Sequence, residues 1–421
     1  MTTLGFALLA ALLAIGGLVG LSAVAGRLIE KAAPPQGGFL EVDGERLHVL
    51  DVGDGPPVVM IHGLGGQMGN FTHSLVDRLR AGFRVVAFDR PGSGYSTRSP
   101  KAPPHLRAEA DTLAGAIRAL KLDRPLVVGH SFGGAVALAL ALDHPDCVGA
   151  LALVSPATHA PNAAPRAFRA LAIQSRMLRR LFAWTVATPA GLIASKWMLR
   201  EVFAPESPPA DFGTKGGGLL ALRPGNVWAT SSDLVAALAS RADLEDITRR
   251  YASIGAPVGI LYGRGDQVLD WRAQGEAMKQ KIPSLDLEIV EGGHMLPVTQ
   301  PDLVAAFIRR MAGALAKREE SRAELGSRPS PNVMTGAGEG NLGGSFSGGD
   351  RIAKIGVEFL GRRRAADNRA ALEHRDLESR PGPIGRGDEA VAPPRRRRRA
   401  SLACECQRSN FTPWASGSFD E

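Results

Sequence analysis

Apolar residues form short continuous runs along most of the chain, and polar or helical stretches separate these runs. The runs lie at residues 57–61, 84–88, 126–128, 148–154, 257–262 and 285–290. Runs of this length are typical of strands that are buried on both faces of a sheet. Before the third run, apolar residues recur at helical spacing over residues 106–120, which indicates an amphipathic helix. The alternation of strand and helix predicts a mostly parallel sheet with helices on both faces.

Two stretches differ from this alternation. Residues 39–50 form two short alternating runs around Asp43-Gly44, which predicts a hairpin. Between residues 156 and 246 the signals are helical and irregular, and an insertion of this size predicts a lid. Gly216-Gly217-Gly218 within it predicts a hinge or turn, because no Lys-Ser pair follows it as in a phosphate-binding loop.

The first part of the insertion mixes apolar residues with arginines over residues 166–200. One interpretation is a lid helix with its apolar side chains facing the core and its arginines facing water. The other is an arginine-rich amphipathic surface that lies on anionic lipid. The pattern leaves both open, and we expect the first.

The chain begins with an apolar segment. Residues 4–26 contain no charged side chain, and at about 1.5 Å per residue they would span about 34 Å as a helix, more than the roughly 30 Å of a membrane's hydrocarbon layer. We therefore expect a single membrane anchor. The alternative is a signal peptide cleaved after Ala25, because Ala23-Val24-Ala25 has the small residues of a cleavage site. Arg27 and Lys31 follow the span, and the positive-inside tendency then favours a cytoplasmic position for the rest of the chain.

Charge and cysteine content exclude some classes of protein. The net charge is +8, but the arginines are spread along the chain without the interleaved aromatics of a nucleic-acid module, so we expect no nucleic-acid partner. There are three cysteines, and we expect no disulfide framework. Cys147 is expected to be a small buried residue. Cys404 and Cys406 lack a nearby histidine, which argues against a metal site. The composition does not indicate an oligomeric state.

The carboxyl-terminal part of the chain changes in character. From about residue 316, arginine, glycine, serine and proline dominate and the apolar periodicity ends, which predicts a disordered basic tail. The arginine run at residues 395–399 is interpreted as a solvated tract, with contact to anionic lipid as the alternative. The expected organisation is an anchor or signal peptide (1–26), a linker (27–38), a first core part (39–157), a helical lid (158–246), a second core part (247–315) and the tail (316–421).

Candidate chemistry begins at Ser131, which lies in Gly129-His130-Ser131-Phe132-Gly133 between a buried strand and a helix. Glycines two residues before and two after a serine allow the tight turn that is called a nucleophile elbow. The turn lifts the hydroxyl from the end of the strand, and the backbone N–H of Phe132 lies beside it at the helix start. The motif alone is weak, because a chain with 50 glycines contains such patterns by chance.

A serine hydroxyl needs a base to accept its proton, and the base needs an acid that fixes its tautomer. His294 follows the strand at 285–290 and the loop Glu291-Gly292-Gly293, which places it above a strand end. Asp266 directly follows the strand at 257–262. By itself, each of these two residues would be an ordinary loop residue.

The order Ser131, Asp266, His294 and the positions at strand ends resemble the α/β-hydrolase superfamily over residues 39–314. This resemblance implies an eight-stranded, mostly parallel sheet with helices on both faces and an inserted helical lid. It also implies that His62-Gly63-Leu64 supplies the second oxyanion donor, the backbone N–H of Leu64, while Phe132 supplies the first. Asp89 and His62 are interpreted as residues that brace loops, and His130 as an elbow side chain that packs or lines the pocket.

The resemblance further implies acyl transfer by a serine hydrolase of the carboxylesterase or lipase type, with no metal or organic cofactor. The substrate is expected to be a small apolar acyl compound. Because relatives that open epoxides or displace halide carry aspartate at the elbow, Ser131 argues against both reactions. Esters, thioesters, amides and lactones stay open as substrates. Carbon–carbon cleavage with the same triad and a non-catalytic ligand receptor of the same fold are the alternatives.

Overall fold

The computed structural model describes residues 2–99, 104–160 and 163–327. Within them an eight-stranded sheet has the order β1-β2-β4-β3-β5-β6-β7-β8. The strands are β1 (Gly38–Val42), β2 (Glu45–Val52), β3 (Pro57–Ile61), β4 (Arg84–Phe88), β5 (Leu126–His130), β6 (Ala150–Val154), β7 (Val258–Gly263) and β8 (Asp286–Val290). β2 pairs antiparallel with β1 and β4, and all other neighbours are parallel. The predicted mostly parallel sheet is confirmed.

The helices follow the strands in the expected alternation. They are α1 (Thr3–Ala32), α2 (Gly69–Thr72), α3 (Leu75–Leu79), α4 (Leu106–Ala119), α5 (Phe132–Asp143), α6 (Arg176–Phe182), α7 (Thr188–Phe203), α8 (Pro224–Ala239), α9 (Arg241–Arg249), α10 (Ala277–Lys281), α11 (Leu296–Thr299) and α12 (Pro301–Ser327). Short 3₁₀ turns lie at Pro145–Cys147, Arg166–Leu171, Gly218–Leu222 and Tyr251–Ser253, and π turns at Ala183–Ala187 and Arg272–Glu276.

The core lies on both faces of the sheet. On one face, α4 and α5 pack against the strands through residues such as Leu113, Ile117 and Leu138. On the other face, α3 and α12 pack through residues such as Leu75 and Phe307. Because the central strands are buried on both faces, they carry the continuous apolar runs seen in the sequence. The parallel strands all end at one edge, where the functional loops lie.

Several boundaries differ from the predictions. Residues 69–79 form two short helices, because Ser74 has φ −153° and ψ −31°, which interrupts the helical backbone between α2 and α3. The α12 helix continues to Ser327, past the expected boundary at 315, because residues 316–327 are rich in helix-forming Lys, Arg, Glu and Ala. The rest of the predicted tail, with Cys404, Cys406 and the 395–399 arginine run, lies outside the described residues.

One helix of the described chain, α1, is long and apolar enough to cross a membrane, with a mean hydropathy of 2.4 over its most apolar window. It continues to Ala32, so the predicted linker is shorter than expected. Its last turns bury Ser22, Gly26 and Ile29. These residues have the 3.6-residue period of one helix face, and this face packs on the insertion between β6 and β7.

Candidate active site

Ser131 lies in a strained turn between β5 and α5. Its backbone has φ 55° and ψ −122°, a conformation that residues with a Cβ rarely adopt. A Cβ atom at Gly129 would lie 2.7 Å from the carbonyl oxygen of Gly133, and one at Gly133 would lie 2.2 Å from the carbonyl oxygen of Ile61. The two glycines therefore let the strand and helix approach closely enough to present the Ser131 hydroxyl at the end of the strand.

The three residues singled out in the sequence lie together. The Ser131 hydroxyl donates to Nε2 of His294 over 3.0 Å, and Nδ1–H of His294 donates to Oδ2 of Asp266 over 2.8 Å. All three side chains are almost fully buried. With Nδ1 protonated, Nε2 of His294 is free to accept the serine proton.

Asp266 is held by the loop after β7. Its Oδ1 atom accepts from the backbone N–H groups of Val268 and Leu269, at 2.8 and 2.9 Å. Burial alone would raise the pKa of Asp266, but the neighbouring His294 and these two amides outweigh burial and hold the pKa below its ordinary value. The carboxylate is therefore ionised at neutral pH and fixes the Nδ1–H tautomer of His294.

The His294 loop is tied to the elbow by His130. The Nε2–H group of His130 donates to the backbone carbonyl of His294 over 3.0 Å, and the two rings lie 5.0 Å apart. Burial and the neighbouring His294 lower the pKa of His130 to about 3, so this ring is neutral at physiological pH. The interpretation of His130 as an elbow side chain that packs or lines the pocket stays a prediction, and these contacts agree with packing.

The loop after β3 lies directly against the serine. A Cβ atom at Gly63 would lie 2.8 Å from Cβ and 3.3 Å from Oγ of Ser131. His62 holds this loop, because its Nδ1–H donates to the Gly63 carbonyl and its Nε2 accepts from the backbone N–H of Arg90. Burial and the charge of Arg90 lower the pKa of His62 to about 3. Among the loop, turn and cap hydrogen bonds of the described backbone, the N–H groups of Leu64 and Phe132 have no backbone acceptor.

Asp89 braces the turn after β4. Its carboxylate accepts from Nδ1–H of His48 at 2.6 Å, from the backbone N–H of Met68 at 2.7 Å and from that of Tyr95 at 2.9 Å. Because these donors occupy both oxygens, Asp89 holds loops together, 
in agreement with the structural role expected for it.

A buried charge cluster beneath the loop after β3 was not found from the sequence. Arg90 is paired with Glu109 at 2.6 Å and with Asp233 at 3.3 Å, and Arg98 is paired with the same two acids at 2.8 and 2.6 Å. The Arg90 guanidinium also donates to the carbonyls of His62 and Gly63. Asp233 lies on α8 of the insertion, so the cluster connects the insertion to the loop beside Ser131. Asp233 is 143 positions from Arg90 and 135 from Arg98, so the spacing of charges along the sequence did not indicate these pairs.

The insertion contacts the loop after β3. A Cβ atom at Gly65 would lie 3.3 Å from the ring of Phe168 and 3.3 Å from the methyl group of Thr230, and both of these residues belong to the insertion. Ser131 is 9% exposed.

The Gly216-Gly217-Gly218 segment forms a turn in which Gly217 has φ 69°, and Nε2 of Gln67 donates to the Gly216 carbonyl.

The chain was compared with known proteins. It is 29% identical over 253 residues to a protein of Pantoea ananatis that is named provisionally as carbamate hydrolase RutD, and the match covers 59% of this chain and 85% of that protein. It is 35% identical over 127 residues to 2-hydroxymuconate semialdehyde hydrolase of Pseudomonas sp., with 30% of this chain and 45% of that protein covered.

The fold is also similar to that of solved structures. The enol-lactonase from Burkholderia xenovorans superposes with a TM-score of 0.52 at 21% identity, over 66% of this chain and the whole of that chain. A sequence model of the alpha/beta hydrolase fold matches residues 56–301, which is more than half of the chain. The resemblance inferred from Ser131, Asp266 and His294 is therefore confirmed at the level of family and enzyme class: the chain belongs to the α/β-hydrolase family and is a hydrolase.

Proposed function

We propose that the protein is a serine hydrolase that cleaves an ester-type bond of an apolar acyl substrate through a covalent acyl-enzyme. The observation that carries the proposal is the continuous hydrogen-bonded series from Ser131 through His294 to Asp266, at 3.0 and 2.8 Å. These distances are those of a nucleophile, its general base and the group that orients the base.

In the first half-reaction, Oγ of Ser131 attacks the carbonyl carbon while Nε2 of His294 accepts the hydroxyl proton. The carbonyl oxygen becomes an oxyanion, which the backbone N–H groups of Leu64 and Phe132 hold. The intermediate collapses, the bond to the leaving alkoxide breaks, and His294 returns the proton to it. In the second half-reaction, water attacks the acyl carbon, His294 accepts a water proton, and Ser131 leaves with that proton as the free hydroxyl.

Asp266 stabilises the imidazolium that forms on His294 in both halves of the reaction, and it stays ionised. The close approach of Gly63 to Ser131 supports the assignment of the oxyanion donors, because the loop that carries Leu64 lies beside the nucleophile. The helical insertion acts as a lid, since Phe168 and Thr230 lie over this loop.

A fluorophosphonate probe tests the proposal, because it phosphonylates only an activated serine. We expect labelling of the full chain and hydrolysis of short p-nitrophenyl esters, and loss of both in Ser131→Ala. Ser155, buried at the end of β6 and without a hydrogen-bond partner for its hydroxyl among the described residues, is a matched control: Ser155→Ala should keep both. Folded wild-type protein that is not labelled would contradict the proposal.

Carbon–carbon bond hydrolysis is the second candidate. It is favoured by the similarity to 2-hydroxymuconate semialdehyde hydrolase. The identity to this protein is 35%, against 29% to the carbamate hydrolase, but the match covers 45% of its length. The two candidate reactions differ in their leaving group, which is an alkoxide in ester hydrolysis and a carbanion equivalent in carbon–carbon bond hydrolysis. Inertness toward esters and lactones together with cleavage of a vinylogous diketone would select carbon–carbon hydrolysis.

A further inference from the structure

Large apolar side chains are exposed in one region of the described chain. Phe39 apart, every such side chain lies either on α1 or between residues 177 and 197 of the insertion. The insertion contributes Met177, Leu178, Leu181, Trp184, Val186, Leu192, Ile193 and Trp197. We call these eight residues the outer lid face. The interpretation in which the apolar residues of this segment face the core is wrong for them, and Arg179, expected to face water, is buried.

The outer lid face is continuous with α1. Ser22 of α1 donates its hydroxyl to the backbone carbonyl of Thr185, which lies between α6 and α7, over 3.1 Å. Lower on α1, Glu30 pairs with Arg223 of the insertion at 2.7 Å. Ile29 packs in a buried cluster with Leu220 and Leu222. The insertion therefore packs directly against α1.

The contact with α1 sets the depth of the outer lid face. Ser22 lies within the uncharged span that ends before Arg27, and the axial rise between these two residues is about 7.5 Å at about 1.5 Å per residue. Helices that lie in a membrane interface bury their apolar face by roughly 5–10 Å. With α1 in a bilayer, the lid segment that contacts Ser22 is therefore at interfacial depth.

The charges and aromatics of the segment fit such a surface. Residues 163–200 contain no acidic side chain. Their exposed cationic residues are Arg166, Arg169, Arg176, Arg180, Lys196 and Arg200. Cationic residues next to a span attract anionic lipid headgroups, and tryptophan prefers the boundary between headgroups and acyl chains. Two exposed tryptophans, Trp184 and Trp197, lie on the outer lid face.

We propose that the outer lid face is embedded in the same membrane interface as α1, so that the lid is a lipid-binding surface. The occupant is a bilayer with anionic lipid, and a second copy of the chain on this face is the competing outcome. Resting on the proposed function, the inference extends to the substrate. Because this lid covers the loop beside Ser131, the acyl ester comes from an amphiphile that is dissolved in the bilayer.

Tryptophan quenching tests the location. The full chain is reconstituted into vesicles of phosphatidylglycerol and phosphatidylcholine brominated near the headgroup end of its acyl chains. We expect brominated lipid to quench the tryptophan fluorescence of the wild type. The double variant Trp184→Phe and Trp197→Phe should lose most of this quenching. Trp271→Phe should keep it, because the Trp271 indole lies in the core cluster. Equal quenching in the double variant and the Trp271 variant would overturn the proposal. So would a dimer in which a second copy of the chain shields Trp184 and Trp197 from the brominated lipid.

A kinetic test separates this inference from the proposed function. The lid variant carries Met177→Glu and Ile193→Glu, at side chains that are 75% and 86% exposed. The control variant carries Ala81→Glu and Ala119→Glu, at exposed positions outside the insertion. We expect Met177→Glu with Ile193→Glu to lower hydrolysis of a vesicle-dissolved long-chain p-nitrophenyl ester about tenfold relative to the control. Hydrolysis of soluble p-nitrophenyl acetate should be equal in the two variants.

The outcomes are distinct. A wild type that hydrolyses neither ester contradicts the proposed function. A wild type that hydrolyses both, with the lid variant equal to the control on the vesicle-dissolved ester, overturns the membrane-embedded lid and leaves the proposed hydrolase intact.

Discussion

The Nε2 atom of His294 lies 3.0 Å from the Oγ atom of Ser131, although 163 positions of the chain separate the two residues. Ser131 follows β5 and His294 follows β8, and the parallel sheet brings the ends of both strands to one edge. A side-chain hydrogen bond keeps the two loops together, because Nε2–H of His130 donates to the backbone carbonyl of His294. The hydrogen bond between Ser131 and His294 thus depends on the fold of the entire sheet.

Asp266→Asn should lower kcat by about 10⁴-fold, because the amide does not fix the Nδ1–H tautomer or stabilise the imidazolium. Ester hydrolysis and the rate of fluorophosphonate labelling measure this loss, and circular dichroism checks the fold. Asp270→Asn, four residues away on the same loop, is the control and should keep activity. A kcat within tenfold of wild type in Asp266→Asn would assign the orienting role to another group.

Gly63→Ala should lower kcat about 10²-fold or more, since the added methyl group would lie 2.8 Å from Cβ of Ser131 and displace either the nucleophile or the loop with Leu64. Gly82→Ala is the matched control, because a Cβ atom there has no neighbour within 4 Å. Steady-state hydrolysis of p-nitrophenyl butyrate compares the two. Full activity in Gly63→Ala would show that the loop after β3 is not held against Ser131 during the reaction.

Asp233→Ala should destabilise the protein by about 3–5 kcal/mol, because it leaves the buried guanidinium groups of Arg90 and Arg98 with one acid in place of two. Asp77→Ala breaks an exposed pair with Arg80 and should change the unfolding free energy by less than about 1 kcal/mol. Urea unfolding of both variants in detergent gives the comparison. Equal effects would argue that the cluster does not contribute more than a surface pair.

Stability should fall as the pH decreases from about 6.5 toward 3. Burial lowers the pKa of His62 and of His130 to about 3 in the folded chain, while histidines in the unfolded chain have the ordinary pKa of about 6.5. Between these values the unfolded chain binds more protons, so acid favours unfolding, and above 6.5 the full stability is present.

Each of these histidines contributes about 1.4 kcal/mol per pH unit, or about 2 kcal/mol between pH 6.5 and 5. His130→Gln removes one titrating group, and the loss of unfolding free energy over this interval should then be smaller by that amount. Urea unfolding at both pH values measures it. His105→Gln, a partly exposed histidine, is the control, and an unchanged pH dependence in His130→Gln would contradict the lowered pKa.

The sheet was predictable from the sequence because its signals are local, whereas Ser131, Asp266 and His294 were predicted from their order along the chain and its resemblance to the α/β-hydrolase family. β3 begins and ends where the apolar run does, and Asp266 and His294 lie three and four residues after the ends of β7 and β8. The remaining features depend on tertiary contacts. Periodicity does not pair Arg90 with Asp233 across 143 positions, and it does not show that Met177 and Ile193 face outward. For amphipathic helices beside a membrane span, the apolar face need not be the inner face.

Acid-quenched mass spectrometry during turnover of p-nitrophenyl butyrate tests the central claim most directly. The proposed mechanism predicts a butyryl group on the peptide that contains Ser131, formed at a rate no lower than kcat. It also predicts that His294→Ala suppresses both the adduct and the turnover. Wild-type turnover without an acyl group on Ser131, or with the group on another residue, would contradict the account.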